Sequence, residues 1–276
     1  MPELPEMQAL AERLTDAYGG QTLSSFALLQ FSALKTFEPD PLALRGRTLG
    51  SVGRRGKYLL LPFGDHRLIV HLSQGGRIDF EAPPKTTKPK GAVARLGFDH
   101  ASLLIKEFGT ERKASLWVVA ADDPGPLEGL GPEPFSDAFE ELVLSSDERR
   151  RIHTLLRDQR FVAGIGRGFS DDVLHHAQLS PFDSLASLDE TKRRALIESI
   201  RTVLQEATQR ERERTGGLPA KMGDRFTIHN RHGQPCPRCG HEMHRISYES
   251  HEVTYCPVCQ TGGRVVADRR LSRLLK

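Results

Sequence analysis

Long apolar runs are missing from this 276-residue chain: none approaches the roughly 18 residues that a membrane helix requires. The start, MPELPEMQAL, has neither a basic region nor an apolar core, so a secretory signal is not expected and a cytoplasmic protein is. Four cysteines are too few for a disulfide scaffold, and no repeat of fixed period is visible. Charge of one sign is scarce overall, at a net +3, but it is unevenly spread. Residues 191–276 hold 17 Lys/Arg against 9 Asp/Glu, leaving the remainder acidic. A basic C-terminal third points to a polyanionic partner, nucleic acid being the commonest, with a merely solvated surface as the alternative.

What remains is a soluble globular composition, 38% apolar and 27% charged, long enough for one large or two modest domains plus a small appendage. Glu6–Tyr18 places Met7, Leu10, Ala11 and Leu14 at helical spacing after Pro5. Segments 23–31, 58–63, 67–72, 93–98 and 102–106 read as short antiparallel strands of a sandwich or barrel. APPKTTKPKG, residues 82–91, reads as an exposed loop, and the Pro/Gly-dense 122–136 as a linker. Helical character is expected from Ser146: one helix to about Arg157, a second capped by Ser170 with Asp171 and Asp172 at its start, and a long third opened by Ser187 or Asp189. Between the first two lies GIGRG, residues 164–168.

Cys236-Pro-Arg-Cys239 and Cys256-Pro-Val-Cys259, 16 residues apart, have the spacing of a structural zinc site. The alternatives are two disulfides or a redox pair. His241, His244 and His251 lie inside the loop, but four thiolates already complete a tetrahedron and leave no position for a reacting water.

The opening Met1-Pro2-Glu3-Leu4-Pro5-Glu6 and the closing cysteine knuckles together resemble the formamidopyrimidine-DNA glycosylase and endonuclease VIII family of base-excision repair enzymes, over essentially the whole chain. The resemblance implies a multidomain α+β protein: an N-terminal antiparallel β-sandwich over 1–122, a linker and helix-two-turns-helix domain over 123–228, a zinc finger over 229–263 and a basic tail over 264–276. By resemblance, Pro2 is the nucleophile once Met1 is removed, a secondary amine with a pKa of roughly 8 that retains a useful neutral fraction. Glu3 resembles the acid that protonates the sugar ring oxygen, and Glu6 a further carboxylate beside it. On their own these three read as a helix start, a frayed acidic terminus and an exposed first turn. Lys57, in Gly53-Arg54-Arg55-Gly56-Lys57-Tyr58, resembles the phosphate-gripping lysine, and His71 a residue near the same backbone; a basic turn and a satisfied core histidine are their plain alternatives. Leu130-Gly131-Pro132-Glu133-Pro134 resembles the entry to the helical domain.

Several positions depart from the family's pattern. Arg167 replaces the asparagine of the Gly-Ile-Gly-Asn element that holds phosphates. Gln74 stands where a methionine wedge is usual. In Lys106-Glu107-Phe108-Gly109, Phe108 keeps the aromatic wedge, Lys106 replaces the arginine that reads the opposite base, and Glu107 is expected to place a negative charge near the phosphate path. His251 sits five residues before Cys256, where a phosphate-binding arginine is common. The short segment between Gly217 and Asn230 shifts the expected lesion from 8-oxoguanine toward oxidised pyrimidines, abasic sites or an unusual base. The resulting expectation is a monomeric glycosylase and abasic-site lyase that acts on damaged double-stranded DNA, is associated with chromosomal DNA and carries one structural zinc. The alternatives are a catalytically weak lesion- or abasic-site-binding protein and a zinc-containing transcriptional regulator.

Overall fold

The computed structural model describes residues 1–108, 112–222, 224–247 and 252–266. They form two units: Met1–Gly129 with residues 208–222, and Leu130–Ala207 with the described residues from Asp224 on. Among them no helix is long and apolar enough to cross a membrane.

The first unit opens with α1 (Leu4–Tyr18), whose Met7, Leu10, Ala11 and Leu14 are all buried as their spacing predicts. Eight strands follow: β1 (Ser25–Leu28), β2 (Gly53–Arg55), β3 (Tyr58–Phe63), β4 (His66–His71), β5 (Gly76–Glu81), β6 (Ala92–Gly97), β7 (Ser102–Glu107) and β8 (Ser115–Ala120). They make two antiparallel sheets, ordered β2-β3-β4-β8 and β1-β6-β7-β5. Leu59, Leu61, Phe63, Leu68 and Val70 of the first sheet and Phe26, Ile78, Val93, Leu96 and Ile105 of the second belong to one core, the arrangement of a β-sandwich. In β3 the burial alternates along the strand, so period two carries the apolar face inward.

Three of these strands escape the sequence reading. β2 is only Gly-Arg-Arg, β5 interleaves Ile78 and Phe80 with Arg77 and Asp79, and β8 carries an apolar Leu-Trp-Val-Val run that the reading passes over. Residues 83–90 are exposed, as their prolines and lysines suggest.

In the second unit are α2 (Asp137–Ser145), α3 (Ile152–Arg157), α4 (Arg167–His176), most of α5 (Glu190–Arg212), β9 (His244–Ser247), β10 (Glu252–Tyr255) and α6 (Pro257–Thr261). Helix formation therefore starts nine residues earlier than Ser146, which instead terminates α2. Ser136 caps α2 by accepting from the Phe139 amide, a cap hidden in the Pro/Gly-rich stretch. The next correction concerns α4: it begins at Arg167, and Ser170 is an interior residue whose hydroxyl donates back to the Gly166 carbonyl at 2.6 Å. Asp189 does open α5, accepting from the Lys192 amide at 2.8 Å.

Candidate active site and metal centre

At the N-terminus the chain hides charge. Pro2 is buried, and Glu3, Glu6 and Lys57 are only 4%, 0% and 8% exposed. The frayed terminus and exposed first turn are therefore not what the fold makes of Glu3 and Glu6. The Glu3 amide donates to Glu6 Oε2 at 2.7 Å while the Glu3 side chain accepts from the Glu6 amide, a reciprocal capping box built from two acids. Helix α1 packs on β2 and β3, and Arg54 Nε donates to Gln8 Oε1 at 3.0 Å. Gly56, at φ +56°, turns the chain between these strands and presents Lys57 at the start of β3. Register pairs the neighbouring Tyr58 with His71, and their rings lie 4.7 Å apart. Burial, and then the charge of Lys57, push His71 down to about 4, so its imidazole is neutral near pH 7. Pro2, Glu3 and Glu6 are thus placed by one helix start, Lys57 and His71 by adjacent strands of one sheet.

A second cluster lies at the end of the other sheet. Gln74 and Phe108 are both exposed, Phe108 to 55%. The Phe108 amide donates to the Gly75 carbonyl at 3.0 Å, so the β4–β5 loop and the end of β7 are bonded to each other. The tight loop requires glycine at position 76, where a Cβ would meet the Leu72 carbonyl oxygen at 2.1 Å. Lys106 is paired with Asp79, and its ammonium lies 5.0 Å from the Phe108 ring centroid. The expectation for Glu107 is overturned. Its side chain is 4% exposed and accepts from the Lys113 and Ala114 amides at 2.8 and 3.0 Å. The carboxylate is consumed in closing its own loop and puts no charge on an outward path. Gly109 and His251 lie outside the described residues, as does the tail from residue 267.

In the second unit Gly131 and Gly164 meet through Gln159. The Gln159 carbonyl accepts from the Gly131 amide, its Oε1 from the Gly164 amide at 2.9 Å, and its Nε2 donates to the Ile165 carbonyl at 2.7 Å. Nothing in the sequence marked Gln159. Arg167 is the first residue of α4, half-buried. One residue on, a Cβ at Gly168 would lie 2.1 Å from the Phe226 ring, so any larger residue there must displace that aromatic. Asp171 and Asp172 are not solvent-facing complements to the helix dipole. Asp172 accepts from the amides of Thr227, Ile228 and His229 at 2.7, 2.9 and 3.3 Å. Asp171 lies 3.0 Å from His153 Nε2 and 2.6 Å from His229 Nδ1. Burial alone raises its pKa, but the hydrogen bonds and charges of the two histidines outweigh this and hold the carboxyl below its ordinary value.

The four cysteine sulfurs, Cys236, Cys239, Cys256 and Cys259, all lie within 4.8 Å of one another. Cys236–Cys259 is 3.9 Å and Cys239–Cys256 is 3.5 Å. Thiolates at about 2.3 Å from a tetrahedral ion would be about 3.8 Å apart, so the cage suits a metal. Two disulfides would demand about 2.05 Å and are not formed; all four cysteines are free. Cys236 and Cys239 lie in the turn before β9, Cys256 between β10 and α6, and Cys259 in α6; Gln260 Oε1 accepts from the Cys256 amide at 2.8 Å.

Comparison with known proteins agrees over most of the chain. Family models of the formamidopyrimidine-DNA glycosylase N-terminal domain and H2TH domain match residues 1–113 and 130–216. The formamidopyrimidine-DNA glycosylase of Heliobacterium modesticaldum is 34% identical, across 94% of this chain and 100% of that protein. A Lactococcus lactis Fpg in complex with DNA containing an abasic site superposes with a TM-score of 0.82 at 27% identity, covering 94% of this chain and 99% of that one. A MutM in complex with DNA containing carbocyclic 8-oxo-G gives 0.81 at 26% identity, with the same coverage. The chain belongs to the formamidopyrimidine-DNA glycosylase family of damaged-base glycosylases and abasic-site lyases.

Proposed function

We propose that the chain binds damaged duplex DNA, extrudes the lesion nucleotide, removes its base and cleaves the strand through an iminium at Pro2. Once Met1 is removed, the Pro2 nitrogen is a secondary amine. It attacks C1′ and the base departs with a proton, while Glu3 protonates the ring oxygen and opens the sugar. The iminium draws electrons from the C2′–H bond, the 3′ phosphate leaves by β-elimination, and water then releases the amine. Lys57 grips a phosphate beside the lesion, with Glu6 and the neutral His71 supporting it. Gln74 and Phe108 fill the space left by the lesion, Lys106 faces the opposite base, and Arg167 and His251 hold phosphates. The observation that carries this reading is the burial of Glu3 and Glu6 beside a buried Pro2, with Lys57 buried just before β3, since charges are hidden only at a cost.

The cysteine cage is proposed to hold one zinc, whose role is to fold the finger; four thiolates leave it no open position. Cytoplasmic residence with the chromosome, as a monomer, belongs to the same proposal. For the lesion we propose oxidised pyrimidines or unusual bases ahead of 8-oxoguanine. The Leu218 amide donates to the Ile78 carbonyl at 2.7 Å and the Ile228 amide to Asp172, so the intervening segment is held at both ends and offers little length to cover a purine.

The test is borohydride trapping on abasic-site and lesion duplexes. Mature protein should become covalently joined to DNA at residue 2, and an added N-terminal residue, which makes the nitrogen an amide, should abolish trapping and cleavage while DNA affinity persists. Attachment at an internal lysine would refute the Pro2 mechanism. No trapping across the panel would leave the weak-turnover binding protein.

A further inference from the structure

His175 lies in the last turn of α4, 4% exposed, with Nε2 3.1 Å from the Cys236 sulfur. We propose that His175 is a positioning residue of the metal centre, donating an Nε2–H hydrogen bond to the Cys236 thiolate and keying α4 to the metal. The proposal rests on reading the four cysteines as a metal cage. A metal-bound thiolate is an acceptor, so the opposite tautomer, with a bare Nε2, would set lone pair against lone pair at 3.1 Å. The Nε2–H form instead draws charge from the sulfur and fixes its direction.

The bond comes from outside the finger. The Arg238 amide, 3.4 Å from the same sulfur, belongs to the knuckle itself, whereas His175 precedes Cys236 by 61 residues. Asp171 sits one turn before His175 on the same face and accepts from the Thr254 amide of β10 at 3.3 Å. At the end of α4, Arg238 Nη2 donates to the His176 carbonyl at 3.1 Å. One helix thus touches a knuckle and the hairpin at separate points, and only His175 among these contacts reaches a ligand atom.

The full chain should be loaded with zinc, cobalt or cadmium-113. His175→Leu, which keeps the bulk and removes the donor, should speed zinc loss to a chromogenic chelator about tenfold, the lower end of what outer-shell changes cost. In the cobalt form the sulfur-to-metal charge-transfer band should move to lower energy. His175→Gln, which restores an N–H, should bring both back toward the parent. Independently of whether a variant folds, the cadmium-113 form of the unaltered chain should show scalar coupling between the metal and the His175 Hε2 proton. A metal-loaded chain whose His175 carries its proton on Nδ1, or a His175→Leu chain with unchanged release and spectrum, would overturn the proposal. A chain that binds none of the three metals would instead overturn the cage on which it rests.

Discussion

In the first unit, Glu3, Glu6 and Lys57 are buried beside a large apolar core to which both sheets and α1 contribute; in the second, the cysteine cage sits, among the described residues, on a small core of Ile228, Cys236, Met243 and Cys256. Two of those four are themselves cage residues. The first centre inherits its rigidity from a sandwich that would exist without it. The second is its own support, and what apolar burial does not supply comes from polar anchors on α4. Hydrophobic stabilisation scales with area removed from water, so a small module must lean on metal and hydrogen bonds.

Cys236→Ser should break the comparison most sharply. One ligand fewer should strip the metal, from about one per chain to none, and amide protection in β9 and β10 should collapse while that in β3 persists. Metal analysis with hydrogen exchange checks both halves; loss of protection in both units together would show that the centres are not independently supported. A smaller contrast separates single polar anchors. Asp172→Ala strands three backbone amides and should cost roughly 3 kcal/mol or more in the helical unit. Tyr18→Phe removes one hydrogen bond, from the hydroxyl to the Ser102 carbonyl, and should cost about 1 kcal/mol in the sandwich. Denaturant melts followed by probes in each unit would measure the two.

The last contrast is electrostatic and is read against pH. The lowered pKa of His71 means that the unfolded chain takes up its proton first, so the stability this residue contributes is whole above about 6.5 and is lost as pH falls toward about 4. Its imidazole should titrate near 4 by NMR, and Lys57→Met, which removes a repelling charge, should raise that midpoint.

The sandwich strands and the cysteine cage were legible because each is a local pattern, short apolar runs bounded by Gly, Pro or Asp in one case and knuckle spacing in the other, whereas Pro2 and Glu3 stood out only through the family resemblance of the opening motif. Polar anchors were not legible in the same way. Asp171 and Asp172 look like ordinary first-turn acids until their partners, His153 earlier in the chain and others 55 to 83 residues later, are in place. Gln159 and His175 have no local signature at all, and Glu107 was misjudged because a charge in a loop motif reads as exposed until its amide partners are seen. Non-local hydrogen bonds carry no periodicity, and side-chain type alone leaves their direction open.

The bond between the Phe108 amide and the Gly75 carbonyl has an evolutionary corollary. Together with the bond from the Glu107 amide to the Gly91 carbonyl, it fixes where the tip of β7 stands using main-chain atoms alone. Such a mount is indifferent to cargo: any residue but proline at position 108 supplies the same N–H. Side chains at 74, 106 and 108 can therefore be exchanged by point mutation without redesigning what carries them. The scaffold thus separates where these side chains stand from what they are, and the DNA contacts proposed for Gln74 and Lys106 can change with the backbone left as it is.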